Sequence, residues 1–312
     1  MQTSKRNTDL NEILFKVNMQ DIFTKIGENG NSIKIHGKKV LLNAVNNYPI
    51  SIVSDDYEII TNEEAYQYGI KCLKSLFKIT EEDGIDIFHI DRPSTLSFCH
   101  IDLTSKAKTF EYRNDKYFPF VRVTNSYNKM FKLYFRVGVC RGICENGMIM
   151  GDNSIKFSYN HMKGANNRIN FEIEGNALDK ILLKFKNNIE ILSEKNFNYN
   201  FLFPMVYKGL GVVPRIYPMS KKQVENAAKM DETINRMNDI YSEQIGKNFY
   251  SVYNIITDIS SRGIENENFG TARIHNRQLN AGRWMTVVSD MLRKDDFNYE
   301  KFLKEYLGTS KN

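Results

Sequence analysis

Lys132, Tyr134 and Arg136 alternate along the stretch Phe131–Val139, FKLYFRVGV. A period of two sets these three side chains on one face of a strand. Phe131, Leu133, Phe135, Val137 and Val139 fall on the other, which is a core face. Cations spaced around a phenol suit a polyanion, because the charged groups take phosphates while the ring stacks on a base. The bland alternative is the solvated outer face that an antiparallel sheet presents to water. Arg122, on the preceding strand, is expected to join Lys132, Tyr134 and Arg136 as one binding face, and Asn125 and Ser126 fall between the two strands. Their amide and hydroxyl either close a hairpin turn or are presented to a phosphate.

Other residues with chemical capacity are less well assembled. Arg141 is a further candidate contact to nucleic acid, and it precedes Cys144, so a thiolate of lowered pKa is conceivable there. Such a nucleophile needs a positioned base, and no spacing ties His100 or His161 to it. Cys140 and Cys144 form a CxxxC pair with no second pair, a poor zinc pattern; a buried structural thiol is the simpler expectation. Asp55, Asp56, Glu63, Glu64 and Asp152 lack metal-loop spacing. No phosphate-binding glycine loop or nucleophile elbow occurs. The chain therefore reads as a binding protein rather than an enzyme, with no metal or cofactor expected. Near the C-terminus Arg273, Arg277 and Arg283 surround the single Trp284. The arginines suit phosphate or an acidic partner, whereas Trp284 suits a core anchor.

The elements that would position these groups follow from local pattern. Leu10–Ile26 reads as a weak helix ending at the Asn29-Gly30-Asn31 turn. Ser32–Ile35, Lys39–Asn43 and Pro49–Val53 read as extended, with Asn46-Asn47 as turn residues. Thr61 and Glu64 form a capping box that opens a helix to about Phe77. Strands are expected at Ile85–Ile90, Thr95–Leu103, Lys108–Tyr112, Tyr117–Thr124 and Met130–Val139, then from Met148 onward. Asn146-Gly147 is the strongest turn signal. Leu178, Ile181, Leu182, Phe185, Ile189 and Leu192 mark a helix from about Ala177. A second box, Ser220 with Gln223, opens a helix to about Met230. Phe249, Val252, Tyr253, Ile256 and Ile259 form another stripe, and a last helix spans Ala281–Leu292.

Strands before Gly175 and helices after it give an α+β class: an antiparallel meander in the N-terminal half, covered by helices mostly from the C-terminal half. The expected organisation is a polar segment with a weak helix (1–30), a β-rich core with one helix (31–175) and a helical part (176–312), the last two forming one compact domain. The 312 residues carry a net charge of +6, compatible with nucleic acid but not diagnostic of it. No apolar run is long enough for a membrane span, and no secretory signal opens the chain. A reducing cytoplasm is the expected location, since four cysteines in this length make no disulfide framework.

Three segments in order resemble the phage- and plasmid-borne proteins classified as domain of unknown function 932. They are ISIVSDDYEIITNEEAYQYGIKCL (Ile50–Leu73), VRVTNSYNKMFKLYFRVGVCRGICENGMIMG (Val121–Gly151) and NFYSVYNIITDIS (Asn248–Ser260). The middle one is similar to that family's asparagine-serine-tyrosine-aspartate pattern, with Asn128 in the aspartate's place, and to its arginine-x-x-cysteine-x-asparagine-glycine pattern. The resemblance implies a mobile-element protein in a bacterial host, acting on DNA or on host machinery. Two partners follow as expectations. One is nucleic acid, held as a single strand during replication or recombination and bound by a homo-oligomer. The other is a host antiphage defence protein, bound and inhibited.

Overall fold

The Thr61–Glu64 box is formed: Glu64 N–H donates to Thr61 Oγ1 at 3.1 Å, and Thr61 N–H donates to Glu64 Oε2 at 2.7 Å. It starts helix Asn62–Phe77, whose Ala65, Gly69, Cys72, Leu73 and Leu76 are buried at helical spacing. The computed structural model describes residues 9–25, 30, 32–80, 82–112, 115–142, 146–149, 155–164, 166–171, 177–212, 220–264 and 271–307. In chain order, these hold α1 (Leu10–Ile13), β1 (Val17–Lys25), β2 (Ser32–Asn43), β3 (Pro49–Ser54), α2 (Asn62–Phe77), β4 (Asp86–Asp91), β5 (Phe98–Thr104), β6 (Phe110–Tyr112), β7 (Asp115–Ser126), β8 (Leu133–Arg141), β9 (Asn146–Ile149) and β10 (Lys156–Tyr159). The helices α3 (Ala177–Glu194), α4 (Leu202–Gly209), α5 (Lys221–Ile245), α6 (Phe249–Arg262), α7 (Thr271–Arg293) and α8 (Tyr299–Leu307) follow. The class is α+β, with antiparallel sheet in the N-terminal half and helices mostly C-terminal.

The described residues form two sheets, β1-β2-β3 and one of order β10-β8-β7-β5-β4, with β6 beside β7 and β9 beside β8. The chain divides into two compact units. The first takes Met1–Thr109, Phe118–Val137 and Ile155–Ala177; the second takes Phe110–Tyr117, Gly138–Ser154 and Leu178–Asn312.

In the first unit, α2 lies against β5 and β7 at a glycine. A Cβ on Gly69 would come within 2.4 Å of Val123 Cγ2 and 2.8 Å of Leu103 Cδ1. Only hydrogen fits there, so Gly69 sets the closeness of helix and sheet. The three-stranded sheet buries Leu41 and Val53 with Tyr57 and Tyr127. The tyrosine hydroxyls tie the local chain together: Tyr127 Oη accepts from Asn62 N–H at 2.8 Å, and Tyr57 Oη donates to the Ser126 carbonyl at 3.0 Å. Asn47 takes the left-handed turn conformation, φ 56°, as its position between β2 and β3 suggested.

In the second unit α6 is the central helix. Every residue from Phe249 to Ser260 is buried, the pattern of a helix enclosed on all sides. Asn248 caps it, accepting from Ser251 N–H at 2.9 Å. Trp284 of α7 is fully buried and stacks on Tyr253 at 6.1 Å, so its role as core anchor holds.

Several sequence expectations are corrected. The expected helix Leu10–Ile26 is helical only over Leu10–Ile13; Val17–Lys25 is a strand, because its β-branched and aromatic residues pair with β2. Asn146 and Gly147, expected as a turn, open β9 and pair with Arg141 and Cys140. The helix expected to stop near Met230 runs to Ile245, and its further turns bury Ile234 and Tyr241. The last helix starts at Thr271 rather than Ala281, and α4 and α8 were not anticipated.

Candidate nucleic-acid interface

The alternation in β8 is realised. Leu133, Phe135, Val137 and Val139 are buried, whereas Tyr134 and Arg136 are half-buried and Lys132, one residue before the strand, is exposed. β10 pairs with the same strand, setting Lys156 opposite Arg136 and Ser158 opposite Tyr134. Directly opposed residues of an antiparallel pair share a face. Lys156 and Ser158 are exposed and therefore join Lys132, Tyr134 and Arg136 on it.

The Tyr134 ring sits among cations. The Arg136 guanidinium carbon is 5.0 Å from its centroid, and Lys156 Nζ is 4.8 Å away. Such contacts are worth only about 0.5–1 kcal/mol at exposed sites. A charge-assisted bond to a phosphate is worth more, roughly 1.5–3 kcal/mol for a hydrogen bond to a charged group. Among the described residues β10 has β8 as its only strand neighbour, so this face lies at an edge of the sheet. Lys156 was missed from the sequence; the alternation Lys156-Phe157-Ser158-Tyr159 was its only local signal.

The other candidates lie elsewhere. Arg122 does not belong to this outer face. It is 2% exposed, opposite Asp102 in the β5–β7 register, and donates from Nε and Nη2 to that carboxylate at 2.6 and 2.5 Å. His89 Nδ1 approaches the same carboxylate at 3.5 Å. Burial raises the Asp102 pKa, but the Arg122 charge and hydrogen bonds, with His89, bring it below the ordinary carboxylate value. A buried and neutralised Arg122 holds strands together and cannot reach a polyanion.

Asn125 and Ser126 are fully buried as well. Asn125 Nδ2 donates to the Ile60 carbonyl and to Asn62 Oδ1, both at 2.9 Å. Ser126 Oγ donates to the Phe131 carbonyl at 2.6 Å and accepts from Phe131 N–H at 3.1 Å. Both lie within β7, paired with Cys99 and Phe98 of β5, rather than between the strands as expected; Ser126 holds the β7–β8 turn through Phe131, Asn125 ties β7 to Ile60 and Asn62, and neither faces a phosphate. Lys129, at φ 62°, supplies that turn's left-handed residue.

In the second unit Arg141 is 3% exposed and held by Asp115 Oδ2 at 2.8 Å and Asn254 Oδ1 at 3.0 Å. Arg277 is buried on α7, whereas Arg273 and Arg283 are exposed on the same helix. Cys72, Cys99 and Cys140 are buried, and burial pushes the Cys99 thiol up to about 12. Cys144 lies outside the described residues. His100 is buried, with Nδ1 2.8 Å from Thr124 Oγ1, and His161 stacks on Tyr57 at 5.3 Å. Among the described residues no group of three or more His, Cys, Asp or Glu is placed to hold a metal ion, and no helix is long and apolar enough to cross a membrane. Comparison with protein-family models, with curated proteins and with solved structures finds no match.

Proposed function

We propose that the chain binds single-stranded nucleic acid on the outer face of β8 and β10. The observation that carries this reading is the Tyr134 ring flanked by Arg136 at 5.0 Å and Lys156 at 4.8 Å, with exposed Lys132 on the same face. Three cations track successive phosphates while Tyr134 stacks a base, the pattern by which single strands are held without base-edge contacts. The resemblance to proteins of domain of unknown function 932 supports a mobile-element setting, in which single strands arise during replication and recombination. Association of several copies on one strand accords with the same role. Fluorescence anisotropy with labelled single-stranded DNA across a salt series tests it, comparing the natural chain with Lys132→Glu/Arg136→Glu/Lys156→Glu.

A second reading is protein–protein binding, with a host antiphage defence protein as the partner. It is favoured by the exposed apolar side chains Val45, Tyr48 and Ile52 around the β2–β3 hairpin. Co-purification of a stoichiometric host protein, insensitive to nuclease and lost on Tyr48→Glu/Ile52→Glu, distinguishes it.

A further inference from the structure

The β1–β2 hairpin carries a second cationic surface. β3 pairs with β2 only between Lys38 and Leu42, so beyond Lys38 the hairpin is a two-stranded ribbon among the described residues. On this ribbon Phe23 pairs with Lys34, Thr24 with Ile33 and Lys25 with Ser32. The pleat then sets Phe23, Lys25 and Lys34 on one face and Thr24, Ile33 and Ile35 on the other. Phe23, Ile33 and Ile35 are 60%, 48% and 40% exposed, and Lys25, Lys34, His36 and Lys38 are exposed too. The ribbon's base is clamped: Lys34 and Lys39 both contact the Asp21 carboxylate, Lys34 at 2.8 Å. Between Asp21 and Phe23 the register slips past Gly37, whose φ of 73° suits a bulge.

An isolated two-stranded hairpin is only marginally stable in water. One with apolar side chains on both faces calls for a partner that covers both. We infer that this ribbon enters a groove of double-stranded nucleic acid. The inference rests on the nucleic-acid reading above and extends it to a duplex. The major groove, about 12 Å wide, admits a two-stranded ribbon and flanks it with phosphates on either side. Apolar side chains on such ribbons contact base methyls or wedge between base steps. From Asp21 to Lys39 the sequence has four lysines against Asp21 and Glu28; Lys34 and Lys39 are paired with Asp21, which leaves Lys25 and Lys38 for the phosphate walls. The same excess of lysines makes two such ribbons repel, which argues against a second copy of the chain as the occupant. Single strand on the β8–β10 face and duplex on the ribbon together describe a protein suited to a single-strand/duplex junction.

The test uses the full chain with Lys25→Glu/Lys38→Glu, which leaves the Asp21–Lys34 and Asp21–Lys39 pairs intact, and Phe23→Ala as a second, uncharged variant. Affinity for a fluorescein-labelled duplex and for a single strand of equal length is measured by anisotropy across a salt series, with native mass recorded for each protein. The inference predicts an at least tenfold loss of duplex affinity in the charge variant, with the log–log salt slope reduced by about 1.8, roughly 0.9 for each of two phosphate contacts. Phe23→Ala loses about fivefold or more on duplex, near 1 kcal/mol, and both variants hold single strands within about twofold of the natural chain. Unchanged duplex binding by both variants, with single-strand binding still lost in the β8–β10 variant, overturns the ribbon and leaves the first reading standing. Absence of all binding by the natural chain overturns both. A fall from oligomer to monomer in the ribbon variants assigns the ribbon to a second copy and also overturns the inference.

Discussion

Arg122 and Asp102 face each other across β7 and β5 and meet through two hydrogen bonds, with both side chains almost wholly removed from water. The pair is structural, and each charge depends on the other for its solvation. Arg122→Ala is therefore expected to destabilise the chain by about 3–5 kcal/mol, because Asp102 is left buried and unpaired. Chemical denaturation measures this. Replacing both partners by apolar residues of similar size, Arg122→Met with Asp102→Leu, recovers most of that loss. A single Arg122→Ala variant with unchanged stability but weakened DNA binding contradicts the assignment.

Gly69→Ala separates helix propensity from packing. In an exposed helix the change stabilises by about 1 kcal/mol. Here the added methyl meets Val123 and Leu103 at distances no carbon pair tolerates. Overpacking of this kind costs roughly 1–3 kcal/mol, so the net effect is expected to be a loss of up to about 2 kcal/mol. Thermal unfolding followed by circular dichroism reads the sign directly.

His161 gives a dependence on pH. Burial lowers its pKa to about 4, against about 6.5 in the unfolded chain. Its surroundings are the Tyr57 ring and the Glu58 backbone N–H, which donates to its carbonyl at 3.4 Å. The unfolded chain then binds more protons between the two values, so this contribution is full above about pH 6.5 and is lost as pH falls toward 4. The loss is on the order of 2–3 kcal/mol. Urea midpoints between pH 4 and 7 are expected to fall on acidification, and to fall less in His161→Gln. Equal slopes in the two proteins contradict this account.

What was legible in the sequence was local. The Thr61–Glu64 box is formed within one helical turn, and the outward set Lys132, Tyr134, Arg136 is fixed by the pleat of one strand. What was not legible depends on chain distant in sequence. Arg122 looked like a surface cation because its partner Asp102 stands 20 residues earlier, on a strand whose register no local pattern gives. Lys156 joins Tyr134 only through β8–β10 pairing. Leu10–Ile26 reads as a weak helix, and pairing of Val17–Lys25 with β2 makes that part a strand. Asn125 and Ser126 read as turn residues between two strands, but β7 runs through Ser126, and their burial arises from contacts with Ile60, Asn62 and Phe131.

The most direct measurement of the central claim is the affinity of the natural chain for single-stranded DNA, set against the Lys132→Glu/Arg136→Glu/Lys156→Glu variant and against Tyr134→Ala. The account predicts a log–log salt slope of about 2 for the natural chain, near 0.7 for each of three phosphate contacts, and little slope in the charge variant. It predicts a loss of roughly 1–3 kcal/mol for Tyr134→Ala with the slope retained, since stacking is not screened by salt. Natural-chain binding that is salt-independent, or that survives both sets of substitutions unchanged, would contradict it.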